Sequence, residues 1–160
     1  MTMTKTAAFV TYNNLGGGIA NGWHERDGRR GLVLQNTKGH LFVARREPNT
    51  PAGESRLDMD SVQRVKDEIG NLWGQLQKSL PELDLIVVYV GDSGSERAIE
   101  LAATLPATKT VFVACNCGWG RKMAKLHAVG LSAARVVECG CGGHGTMGWL
   151  FERFMATGEL

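Results

Sequence analysis

The sequence has no stretch approaching the roughly 18 to 20 apolar residues of a membrane span, and its start, MTMTKTAAFV, lacks the apolar run of a secretory signal. These absences lead us to expect a cytoplasmic protein with no membrane partner. Cysteine is sparse, four residues in all, and every one lies between positions 115 and 141. In a reducing compartment such thiols serve metal binding or redox chemistry rather than a disulfide framework. Proline is equally sparse, with four in the chain, and no Pro-rich linker or internal repeat divides it. Strong charge of one sign is missing too: the formal net charge is +2, so a nucleic-acid footprint is not strongly indicated.

Glycine, by contrast, is abundant. Its 21 copies in 160 residues are roughly twice average usage and imply tight turns or close backbone approaches. Length and composition fit a single domain over residues 1–160. Charge divides it unevenly. Residues 1–57 carry eight Lys or Arg against four Asp or Glu, whereas residues 58–160 carry ten against twelve. Arg26, Arg29, Arg30, Lys38, Arg45 and Arg46 supply much of that basic excess, which either attracts an anionic partner or covers a solvated face.

Hydrophobic periodicity then sets the elements. TAAFVTYNNL reads as a strand, and GLVLQ and HLFVAR flank NTKG as an antiparallel hairpin in a β-rich part spanning residues 1–57. From Asp58 the period becomes helical, with Val62, Val65, Ile69, Leu72, Trp73, Leu76 and Leu80 on one stripe and Pro81 as the stop. LDLIVVYV, KTVFVAC and ARVVEC read as strands that alternate with helices over SERAIELAATL, GRKMAKLHAVG and TMGWLFERFM. That alternation predicts an α/β fold: a Rossmann-like, mostly parallel sheet with flanking helices, plus the N-terminal hairpin. The exposed face of the hairpin leaves homo-oligomerisation open.

In such sheets ligands bind outside the carboxyl ends of the strands. Three strands should end at Val90, Cys115 and Cys139, followed by GDSGS, CNCGWG and CGCGGHG. The interval of 21 residues between Cys117 and Cys139 is about one helix and a return strand, so the two Cys-x-Cys pairs should face each other. Cys115, Cys117, Cys139 and Cys141, with His144 as a further candidate, offer a tetrahedral thiolate set suited to zinc, with an iron–sulfur cluster as the alternative. The spacing differs from the usual two to four residues between paired zinc ligands. Cysteines that simply pack the strand ends as small hydrophobes are the competing explanation, chiefly for Cys115 and Cys139.

The glycine-rich loops suit a small anionic ligand or nucleotide, because turned backbone N–H groups and helix starts attract negative charge. Asp92, Ser93, Ser95, Gly142, Gly143 and Thr146 are the candidates there, and Arg29 and Arg30 could reach over from a basic lid formed by GGGIANGWHERDGRRG. No G-x-G-x-x-G or P-loop lysine is present, and Gly91-Asp92-Ser93-Gly94-Ser95 misses the G-x-S-x-G spacing of hydrolases by one residue. His40 and His127 read as structural. The expected function is therefore a metal-binding α/β protein that holds an anionic ligand at the carboxyl edge of its sheet, with enzymatic activity open. Its alternatives are a metal-free nucleotide-binding sensor or regulatory module, and a thiol oxidoreductase for which low-pKa thiolates would be required.

Overall fold

A computed structural model describes residues 5–11, 15, 18–35, 59–90, 95–116, 118–140 and 144–160, with side chains at all of these except 59–66, 69, 95–98 and 144. Among these residues six strands form one sheet: β1 (Lys5–Thr11), β2 (Gly22–Arg26), β3 (Arg29–Gln35), β4 (Leu85–Val90), β5 (Thr110–Cys115) and β6 (Arg135–Cys139). Their spatial order is β2-β3-β1-β4-β5-β6. All are parallel except β2, which runs antiparallel to β3. The α/β sheet read from the alternation of strands and helices is present.

The hairpin differs from its sequence-based assignment. Its strands are β2 and β3, joined at Asp27 and Gly28, which have φ of 51° and 80°. Two successive positive φ values match a two-residue type I′ connection, whose twist suits flanking strands and for which Asp-Gly is a preferred pair. HLFVAR, given that role from NTKG, lies outside the described residues. Part of the glycine-rich segment expected to be a lid is thus the edge strand β2, and β1 and β3 are parallel members of the main sheet.

Among the described residues four α-helices cover the sheet: α1 (Met59–Ser79), α2 (Ser95–Ala102), α3 (Trp119–Ala128) and α4 (His144–Thr157). The crossovers through α1, α2 and α3 step across the sheet in one direction, from β3 to β4, β5 and β6. Right-handed connections that advance one way put their helices on one face. There Leu72, Leu76, Ile99, Ala102 and Leu126 pack on Ala8, Val10, Ile86, Val88 and Phe112. The opposite face receives α4, whose Met147, Leu150, Phe151 and Phe154 meet Ala7, Phe9, Val33, Val87 and Val113. Phe9 stands edge-on to Phe151 at 5.4 Å between ring centroids. This i, i+3, i+4, i+7 stripe is the one expected from the sequence.

Burial on both faces explains the near-continuous apolar runs of β1, β4 and β5. The edge strand β6 is only partly covered. On α3, the stripe expected from Met123, Leu126 and His127 is displaced: Lys122 and Leu126 are buried, whereas His127 is exposed. Gly130, at φ +83°, lets the chain leave that helix while Leu131 N–H donates to the Leu126 carbonyl at 2.8 Å.

Candidate thiol site at the carboxyl edge

Strands β4, β5 and β6 end at Val90, Cys115 and Cys139, as the apolar runs imply. Cys115 and Cys139 are register partners on adjacent parallel strands. The Asn116 N–H donates to the Cys139 carbonyl at 2.8 Å and ties the two ends together. Alternation along β5 puts Cys115 on the same face as Val113, and Val137 and Cys139 pack against the α4 side of the core. Both side chains are therefore borne by one face of the sheet edge. Cys115 is 3% exposed, while Cys139, on the edge strand, is half-buried.

A third group comes from α3. Lys122 is only 4% exposed, and its Nζ donates to the Cys115 carbonyl at 3.0 Å and to Cys115 Sγ at 2.9 Å. The local sequence explains how it gets there. Gly118 adopts the left-handed conformation that turns the chain from β5 into α3, and helical side chains point back toward the helix N-terminus. A lysine in the first turn consequently reaches back to the end of the preceding strand. Removing an ammonium from water costs several kcal/mol, so its carbonyl and sulfur acceptors are part of what makes burial tolerable. Lys122 was absent from the sequence-based site. The signal was its i, i+4 relation to Leu126 on an otherwise apolar stripe.

Of the other expected ligands, Cys117 and Cys141 lie outside the described residues. His144 opens α4, and its side chain is likewise outside them. Among the described residues no three His, Cys, Asp or Glu side chains gather as a metal-holding group. Asp92, Ser93, Gly142 and Gly143 also fall outside. Ser95 begins α2 at the same edge, with its side chain undescribed, and Thr146 is half-buried in the first turn of α4.

Arg29 and Arg30 are not brought to this edge. They begin β3, and a parallel strand starts at the end of the sheet opposite to where its neighbours finish. Arg29 is level with Lys5, two residues before the Ala7–Leu85 row, whereas Cys115 lies five residues beyond the Ile86–Thr110 row. At about 3.3 Å per residue that is roughly 26 Å along the sheet. Both side chains have other tasks. Arg29 Nη2 donates to the Ala156 carbonyl at 2.8 Å, at the C-terminal end of α4. Arg30 donates to Glu25 at 3.0 Å and lies 4.2 Å from the Trp23 ring centroid. The open cleft at that turn, about 260 Å³, is lined by Glu25 and Asp27 as well as by arginines, so it does not present one sign of charge to an anion.

The strand order adds a feature that the sequence did not reveal. The chain moves from β1 to one side through β2 and β3, then crosses back to the other side at β4. This places a topological switch point between β1 and β4, one strand from Cys115. Near the end of β1, the buried Gln35 side chain accepts the Leu15 N–H at 2.8 Å and donates to the Ile19 carbonyl. Asn21 in turn brackets the Gln35 backbone, accepting its N–H at 2.8 Å and donating to its carbonyl at 3.0 Å. Leu15, Ile19 and Asn21 are therefore fixed against the carboxyl end of β3.

Among the described residues no helix is long and apolar enough to cross a membrane. No family model matches the chain, and neither the curated proteins nor the solved structures contain a match to it.

Proposed function

We propose that this chain is a thiolate metal-binding α/β protein, with zinc as the preferred ion, that holds a small anionic ligand or nucleotide at the same sheet edge. The observation that carries the reading is the register pairing of Cys115 with Cys139, each the first member of a Cys-x-Cys pair. Tetrahedral zinc with bonds near 2.3 Å holds two sulfurs about 3.8 Å apart. Adjacent strands about 4.8 Å apart bear side chains that can close to that separation by leaning. Cys117 and Cys141, two residues farther along, are then the natural remaining ligands, with His144 as a substitute for one of them.

Lys122 agrees with this chemistry. Four thiolates around a divalent zinc leave an excess of negative charge, and an ammonium on Cys115 Sγ offsets part of it while orienting the sulfur. Bound zinc would supply a fixed structural centre, or a Lewis acid if a position stays open. The starts of α2, α3 and α4 at this edge, next to the switch point, favour a phosphate or carboxylate beside the metal.

The test is elemental analysis of protein purified anaerobically without an affinity metal, for wild type and for Cys117→Ser/Cys141→Ser. Near-stoichiometric zinc that disappears in the double variant supports the reading. Iron with visible charge-transfer bands would redirect it to a cluster. Metal-free, folded wild-type protein would overturn it.

A further inference from the structure

We infer that Cys139 and Cys115 form a peroxide-responsive dithiol, in which Cys139 is the thiol attacked, Cys115 the resolving thiol and Lys122 the residue that positions it. The two thiols differ in access but share a register row: Cys139 is half-buried on an edge strand, while Cys115 is 3% exposed beside the Lys122 ammonium. Hydrogen peroxide therefore meets Cys139 first. The Cys139 sulfur takes one peroxide oxygen, giving a sulfenic acid and water. The Cys115 sulfur then attacks the Cys139 sulfur, the S–S bond forms and the S–O bond breaks. The departing hydroxide takes up the Cys115 proton and leaves as water. In total the dithiol loses two electrons, and one peroxide is reduced to two waters.

Geometry favours that second step. Neighbouring strands hold in-register Cα atoms about 4.8 Å apart, within the 4.4 to 6.8 Å that disulfides span. The two Cβ atoms must close to the roughly 3.5 to 4.5 Å that a disulfide requires. β6 can supply that movement because, among the described residues, it is the last strand of the sheet, with β5 as its neighbour. Lys122 Nζ, 2.9 Å from Cys115 Sγ, faces the negative charge that develops on this sulfur as its proton leaves. The reaction requires no metal. If the proposed thiolate centre exists, the same oxidation removes two of its ligands and couples metal release to peroxide.

The experiment uses the full chain as Cys117→Ser/Cys141→Ser, with zinc content recorded before treatment, exposed to stoichiometric hydrogen peroxide and digested with trypsin without reduction. The expected product joins peptide 110–121 to peptide 136–153, runs at monomer mass before digestion and is reversed by dithiothreitol. Fragmentation between Cys115 and Cys117 makes the same assignment in the wild-type chain, so the result does not depend on the folding of the variant. Lys122→Met should slow disulfide formation about tenfold, with the Cys139 sulfenic acid accumulating and trapped by dimedone. Loss of packing alone would not separate the two steps in this way. Unreacted thiols, or Cys139 sulfinic acid with no cross-link, would overturn the inference. Zinc content of untreated wild-type protein judges the metal reading separately.

Discussion

A Cβ placed on Gly148 would stand 2.7 Å from the carbonyl oxygen of Leu15, closer than such atoms approach. Helix α4 therefore rests directly on the backbone of Leu15, and a glycine inside the helix makes the approach possible. Gly148→Ala should destabilise the fold by about 1 to 3 kcal/mol, since backbone must shift to admit one methyl group. Gly145, in the same helix, has nothing within 4 Å of its Cβ position. Gly145→Ala should be neutral or stabilise by up to about 1 kcal/mol through helix propensity. Urea unfolding of both variants checks the contrast, and equal effects would contradict the close contact.

Lys122 governs the second expectation, this time for metal retention. Lys122→Met keeps much of the side-chain volume but removes the donor to Cys115 Sγ. Outer-shell partners of metal ligands contribute about 10- to 100-fold to affinity, so zinc should pass to a competing chelator at correspondingly lower chelator concentration. Unchanged retention would dissociate Lys122 from the proposed centre.

Arg29 should behave as a helix-terminal cation rather than as a ligand residue. Its bond to the Ala156 carbonyl predicts that Arg29→Ala lowers stability by about 0.3 to 1 kcal/mol. Metal content and nucleotide or phosphate affinity should stay at the wild-type value, as judged by elemental analysis and calorimetry. A large loss of anion binding would return the arginines to the site.

Asn21→Ala removes both side-chain bonds that bracket the Gln35 backbone. At about 0.5 to 1.5 kcal/mol per bond, a cost of about 1 to 3 kcal/mol is expected. Faster hydrogen exchange should appear at the amides of Leu15 and Gln35, while those of β4 and β5 remain protected. Uniform acceleration across the sheet would mean that Asn21 acts on global stability alone.

Local pattern was sufficient for the elements whose environment is uniform along their length. Continuous apolar runs announced β4 and β5, because central parallel strands are buried on both faces, and i, i+3, i+4 spacing announced α4, because a single stripe of it meets the sheet. The ends of those runs also announced that Cys115 and Cys139 would occupy one edge. The β2–β3 turn was the harder one to read, because the chain offers two turn signals here. Asp27-Gly28 lies in a glycine-rich, charged stretch with weak alternation, and β2 is a half-exposed edge strand whose pattern carries little apolar signal.

The sequence by itself determined the fold class, the two-faced burial of the sheet and the placing of Cys115 and Cys139 at strand ends, since each follows from periodicity over a few neighbouring residues. Tertiary structure decided which strands are neighbours, and with that which charges meet which thiols. Arg29 and Arg30 fall at the far end because β3 runs parallel to β1, a fact of topology that no local spacing encodes. Lys122 reaches Cys115 because a left-handed glycine turns the chain between them and helix geometry sends the lysine back toward the strand it has just left.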